Sequence, residues 1–184
     1  MDLLKRAPRL RRGARLVELG CWPGGWLQEL SELLGDDTTL VGVDLEPSSE
    51  LPGVTFLELD FTESLAQERI EAALGGPADA VLSDAAPKLT GIRGVAGASL
   101  EELYEAALAI ASRVLKPDGF LIVKGFPGPE ADLYRKKLRS RFARVSEVRP
   151  EGKRRSSNEF YWVATPDLKP ARSRSKRSRR KGKS

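Results

Sequence analysis

The stretch LVELGCWPGGWLQEL, from Leu16 to Leu30, decides how this chain folds. It begins as an apolar strand and ends with the periodicity of a helix. The turn between them holds Gly20, Gly24 and Gly25, with Pro23 inside it and Trp22 and Trp26 on either side of the glycine pair. Gly20 permits a tight turn, and Gly24 and Gly25 let the backbone come close to a ligand because no Cβ stands in the way. Pro23 stiffens the connection. A plain connector has no use for two exposed tryptophans beside two glycines, so the turn reads as a binding site.

Working outward, short apolar runs alternate with helical patterns. Ala14–Leu19, Leu40–Leu45, Val54–Leu59, Asp79–Asp84 and Gly119–Lys124 read as strands, rich in Val, Leu, Ile and Phe and bounded by Gly, Pro or Asp. Helices are expected over Trp26–Leu34, Thr62–Leu74 with Thr62 as N-cap, Ser99–Leu115 and Pro129–Phe142. The third carries an apolar stripe of Leu100, Leu103, Ala107, Leu108, Ala111, Val114 and Leu115, and KPDG at 116–119 stops it. Two last strands, Ala143–Val148 and Phe160–Ala164, have no helix between them and should pair antiparallel. The order implies a doubly wound α/β domain, its sheet parallel apart from a hairpin at one edge.

Composition narrows the function. With 184 residues and 40% hydrophobic content the chain is long enough for one real core. Its apolar runs are too short and too often charged to span a bilayer, so no membrane partner is expected. One cysteine, Cys21, cannot form an intrachain disulfide, which fits a reducing cytoplasm. The absence of histidine excludes Ser-His-Asp and Cys-His sites, and no metal site is expected. The net charge of +5 is uneven: residues 169–184 carry nine Lys or Arg and no acid, leaving 22 basic against 26 acidic residues elsewhere. Further basic clusters run from Lys5 to Arg15, from Arg135 to Arg144 and over Lys153–Arg155. These suit a polyanion such as RNA, and the tail has too few apolar residues to fold alone.

In doubly wound folds, ligands sit at the carboxyl ends of the strands. The glycine spacing matches neither the G-x-G-x-x-G dinucleotide fingerprint nor a P-loop. Asp44 closes the second strand, where a carboxylate can accept hydrogen bonds from two ribose hydroxyls. Asp60, followed by Phe61, closes the third and can help hold an adenine. An adenosine pocket without a pyrophosphate cradle suits S-adenosylmethionine. SDAAPKLTG (83–91) and VKGF (123–126) place Asp84 and Lys124 at adjacent strand ends beside that pocket.

The stretches LVELGCWPGGW, VGVDLEP, LELDFTE, LSDAAPKLTG, VLKPDGFLIVKGF and RRSSNEFYWVA together resemble the FtsJ-type (RrmJ-type) ribose 2′-O-methyltransferases from Arg11 to about Thr165. The resemblance implies a Rossmann-like S-adenosylmethionine-dependent fold with a mostly parallel seven-stranded sheet and a C-terminal antiparallel hairpin. It implies a methyltransferase domain over residues 1–167, its N-terminal helix shortened, while composition marks a basic disordered tail over 168–184. It implies cofactor contacts at Gly24, Trp26, Asp44, Asp60 and Asp84. The family's Lys-Asp-Lys-Glu tetrad would place its last three members on Asp84, Lys124 and Glu159, with Lys5 the nearest candidate for the first. The implied substrate is a uridine ribose in large-subunit ribosomal RNA, free or in the subunit, methylated by a cytoplasmic monomer. Cys21 and Trp22 stand where the family usually has two alanines.

The chemistry expected is attack of a ribose 2′-oxygen on a sulfonium methyl, in which alignment does much of the work. Lys124 would act as base when neutral, or orient the oxygen and stabilise its charge when protonated. Two other classes stay open on the residues alone: an inactive RNA-binding protein on the same fold, and a nicotinamide-dependent oxidoreductase, which the glycine spacing opposes.

Overall fold

The computed structural model describes residue 3 and residues 8–46, 51–87, 99–149 and 159–166. Seven strands form one sheet: β1 (Arg15–Leu19), β2 (Thr39–Asp44), β3 (Val54–Glu58), β4 (Ala78–Ser83), β5 (Leu115–Gly125), β6 (Arg144–Val148) and β7 (Phe160–Thr165). Their order is β3-β2-β1-β4-β5-β7-β6. The first five run parallel, and β7 inserts antiparallel between β5 and β6. Strand order reverses between β1 and β4, so the carboxyl ends of these two flank the crevice where such folds bind ligands.

Helices cover both faces. On one, α1 (Gly25–Leu34) buries Leu27, Leu30 and Leu34, a spacing of three and four that makes a single stripe. On the other lie α2 (Ala66–Leu74), α3 (Leu100–Val114) and α4 (Pro129–Arg141). The α3 helix starts with a capping box: the Ser99 side chain accepts from Glu102 N–H, and Glu102 reaches back to Ser99 N–H. Tyr104 of α3, Tyr134 of α4 and Trp162 of β7 meet with ring centroids 4.4 to 5.5 Å apart. Each such pair contributes about 0.5–1.5 kcal/mol beyond its buried area. This cluster also fixes the end of β5, because the Tyr104 hydroxyl accepts from Phe126 N–H at 3.1 Å.

Two local expectations are corrected. Thr62 does not cap α2, which starts at Ala66 after Leu65. Its N–H and hydroxyl instead both donate to Asp60 Oδ1, closing a turn ahead of the helix. The α3 helix stops at Val114, so Leu115 belongs to β5 and pairs with Ala78; Phe120 then pairs with Ala80, and residues 116–119 bulge between them. Lys116 in that bulge is tied to Asp79 at 2.7 Å.

Candidate active site

The chain leaves β1 through a clamped turn. The N–H groups of Gly20 and Cys21 both donate to Val43 O, at 2.8 and 3.2 Å, and Asp84 N–H donates to Leu19 O at 3.0 Å. Gly20 has φ 73, and a Cβ there would lie 2.7–2.8 Å from Ala85. The turn is therefore held between the ends of β2 and β4 and requires glycine. Asp44 closes it from the side: Oδ2 accepts from Trp22 N–H at 2.9 Å and Oδ1 from Glu46 N–H at 3.0 Å.

Gly24 then caps α1 with φ 102, and Gly25 opens the helix with no neighbouring side chain, among the described residues, within 4 Å of where a Cβ would stand. Gly25 is the first residue of α1, where a helix leaves backbone N–H groups without intrahelical partners. The two tryptophans differ, contrary to the reading of both as exposed. Trp22 is 58% exposed, whereas Trp26 is half-buried with its ring 5.5 Å from that of Tyr161.

Across the crevice, Asp84 follows β4 and Lys124 is the last residue but one of β5, within its buried run. Lys124 is only 8% exposed; its Nζ donates to the backbone carbonyl of Asp84 at 3.0 Å and forms an ion pair with Asp84 Oδ1, also at 3.0 Å. A buried ammonium stripped of such acceptors would be costly. Tyr161, opposite Lys124 in the β5–β7 register, donates its hydroxyl to the same Asp84 Oδ1 at 2.6 Å. Burial, then the bond to Asp84 and the charges of Asp84, Glu159 and Glu18, hold the Tyr161 phenol protonated well above its usual range. Glu159 immediately precedes β7 on this side.

Sequence reasoning passes over Tyr161 and Glu18. Glu18 lies in β1 between Gly42 of β2 and Leu82 of β4 and is 3% exposed. Its Oε2 has no hydrogen-bond partner among the described residues. Burial, then the charges of Asp84 and Asp44, push its carboxyl up to about 9, against the opposing pull of the Leu27 N–H and Lys124. Burial, with Glu18 and Asp44, likewise pushes the Cys21 thiol up to about 12, so it is no nucleophile at neutral pH.

Gly24, Trp26, Asp44, Asp84, Lys124 and Glu159 thus gather at one end of the sheet. Asp60 lies just beyond β3 and is engaged by Thr62. Lys5, Lys88, Lys153–Arg155 and the basic tail lie outside the described residues.

The FtsJ-like methyltransferase family matches residues 1–166. The chain belongs to this family. It is 43% identical over 162 residues to ribosomal RNA large subunit methyltransferase E of Alcanivorax borkumensis, covering 88% of this chain and 78% of that one. It is 44% identical over 154 residues to the protein of that name from Methanothrix thermoacetophila, covering 84% of this chain but only 60% of that longer one. Among solved structures, a Plasmodium falciparum protein described as a ribosomal RNA methyltransferase superposes with a TM-score of 0.70 at 21% identity, over 90% of this chain and 92% of that one. Human methyltransferase-like protein 13, in complex with SAH, gives 0.60 at 17% identity, over 92% and 77%. These two likenesses establish the fold alone.

Members of the family take S-adenosylmethionine as methyl donor, and the residues present fit it. The space at Gly25 admits a ligand against the α1 N-terminus, Asp44 stands where a ribose diol binds, and the unpartnered Glu18 oxygen lies among carboxylates that suit a cation.

Proposed function

We propose that this chain methylates the 2′-hydroxyl of a ribose, that of a uridine, in large-subunit ribosomal RNA. The observation that carries the reading is the buried Lys124 ammonium held on Asp84 beside the glycine turn. Family membership and the relatives' names support ribosomal RNA as the acceptor, either free or within the large subunit.

S-adenosylmethionine, when bound, supplies an electrophilic methyl group. Gly24, Trp26 and Asp44 hold it, with Asp60 toward the adenine and Asp84 toward the methionine part. Asp84 accepts one hydrogen bond from Lys124 at its carbonyl and pairs with it through its carboxylate, which among the described residues leaves Nζ with capacity for the acceptor. As a neutral amine it presents a lone pair that takes the 2′-proton; as an ammonium it presents an N–H that orients the oxygen and stabilises its developing charge. Tyr161 holds Asp84 in place, and Glu159 acts from the start of β7.

RNA lies along exposed Lys136, Arg139, Arg141 and Arg144, helped by the basic tail over 168–184, while residues 1–167 carry the chemistry. The protein works as a cytoplasmic monomer. Mapping ribose methylation on ribosomal RNA from cells with and without this protein tests the reading. Loss of one 2′-O-methyl mark on large-subunit RNA is expected, and an unchanged methylation map contradicts it.

A further inference from the structure

We infer that Glu18 is a proton-linked sensor of cofactor charge: it gives up a proton when the cationic methyl donor binds and keeps it when the neutral product S-adenosylhomocysteine binds. The inference rests on the proposed cofactor site.

The geometry carries it. Glu18 is the one acid within the core strand β1, directly beneath the glycine turn, sealed from solvent, with Oε2 unpartnered among the described residues. The groups acting on it come from the ends of β2 and β4, from α1 and from β5. Asp44 at the end of β2 and Asp84 beyond β4 repel a negative charge; Lys124 of β5 and the Leu27 N–H of α1 attract one. Cys21 in the turn and Tyr161 of β7 are neutral neighbours, both pushed toward protonation by Glu18 among other groups. In the free protein the repulsion and burial win, so the carboxyl is protonated at neutral pH.

S-adenosylmethionine carries one net positive charge, and S-adenosylhomocysteine carries none. A unit positive charge brought within about 5 Å of Glu18, in a medium of effective dielectric near 20, would lower its proton affinity on the order of a hundredfold. That is enough to move Glu18 from nearly full protonation to partial ionisation near pH 7.5. An ionised Glu18 then favours the donor over the product, which helps the product leave. The effect acts on binding, so Glu18 is a positioning and discriminating residue rather than a catalytic one.

The test is calorimetric titration of the full chain with each cofactor, in buffers of different ionisation enthalpy, which counts protons released per ligand bound. On the order of half a proton or more should leave with S-adenosylmethionine, and markedly less with S-adenosylhomocysteine. Glu18→Gln, shaped like the protonated acid, should abolish the difference. Should that variant not fold, the comparison of the two ligands on the unaltered protein decides alone. Equal proton release with both ligands, or release unchanged in the variant, overturns the inference while leaving the cofactor site standing. No binding of S-adenosylmethionine at all overturns both.

Discussion

Lys124 and Tyr161 stand opposite one another across the antiparallel β5–β7 pair and meet the same oxygen, Asp84 Oδ1: the Lys124 ammonium pairs with it at 3.0 Å and the Tyr161 hydroxyl donates to it at 2.6 Å. The strand that breaks the parallel pattern of the sheet thereby sets the position of the carboxylate that holds the lysine. A β7 running in the other direction would not give this register.

Tyr161→Phe removes one donor from Asp84 while keeping the ring against Trp26. It should cost about 1.5–3 kcal/mol of stability in urea titration, the scale of a hydrogen bond to a charged group. Methyl transfer should slow several-fold, because Asp84 then holds Lys124 less rigidly. A variant as stable and as fast as the parent would show that the shared oxygen has no role.

Much of this was readable in advance. The seven strands, their hairpin and the four helices follow from apolar runs, glycine and proline punctuation and the stripe on α3. Asp84 and Lys124 could be placed at neighbouring strand ends because parallel strands deliver their carboxyl ends to one crevice. Tyr161 was not readable, since its position opposite Lys124 depends on strand register, which leaves no local mark. Glu18 did leave one. A central strand buried on both faces should read as continuously apolar, so an acid inside it signals a site. Thr62 misled because a helix N-cap and an Asp-Thr turn favour the same residue types.

The two turn glycines should separate stability from binding. Gly20→Ala forces a side chain into a positive-φ position 2.7–2.8 Å from Ala85. It should destabilise the fold by at least about 2 kcal/mol. Gly25→Ala meets nothing within 4 Å among the described residues and improves helix propensity. Its stability should hold or rise by up to about 1 kcal/mol, yet affinity for S-adenosylmethionine should drop. Full affinity in Gly25→Ala would mean that the open space is not where the cofactor lies.

Asp44→Ala should weaken S-adenosylmethionine by about 1–3 kcal/mol, the scale for a lost buried hydrogen-bond partner. It also frees the Trp22 and Glu46 N–H groups. Calorimetry on Asp44→Ala and Asp44→Asn reads both effects. Unchanged affinity in the alanine variant would remove Asp44 from the ribose site.

Glu18 gives stability a direction with pH. Its carboxyl titrates at about 9 in the folded chain, above the ordinary 4.5. Between those values the folded state keeps a proton that the unfolded state has lost, so stability falls as pH rises. The loss is at most about 1.4 kcal/mol per pH unit, and it stops above the folded value, where both states are ionised. Urea midpoints measured between about pH 6 and 8.5 should decline more steeply in the parent than in Glu18→Gln. Parallel curves would mean that Glu18 is ionised in the fold.

The central claim is that Lys124 serves the acceptor, and single-turnover methyl transfer to ribosomal RNA by Lys124→Met at saturating S-adenosylmethionine tests it most directly. Methionine keeps the apolar stem and removes the amine. Transfer should fall by on the order of 10²–10⁴, the range for a lost acid-base group, while calorimetric affinity for the cofactor stays near that of the parent. Near-parent transfer by Lys124→Met would contradict the account.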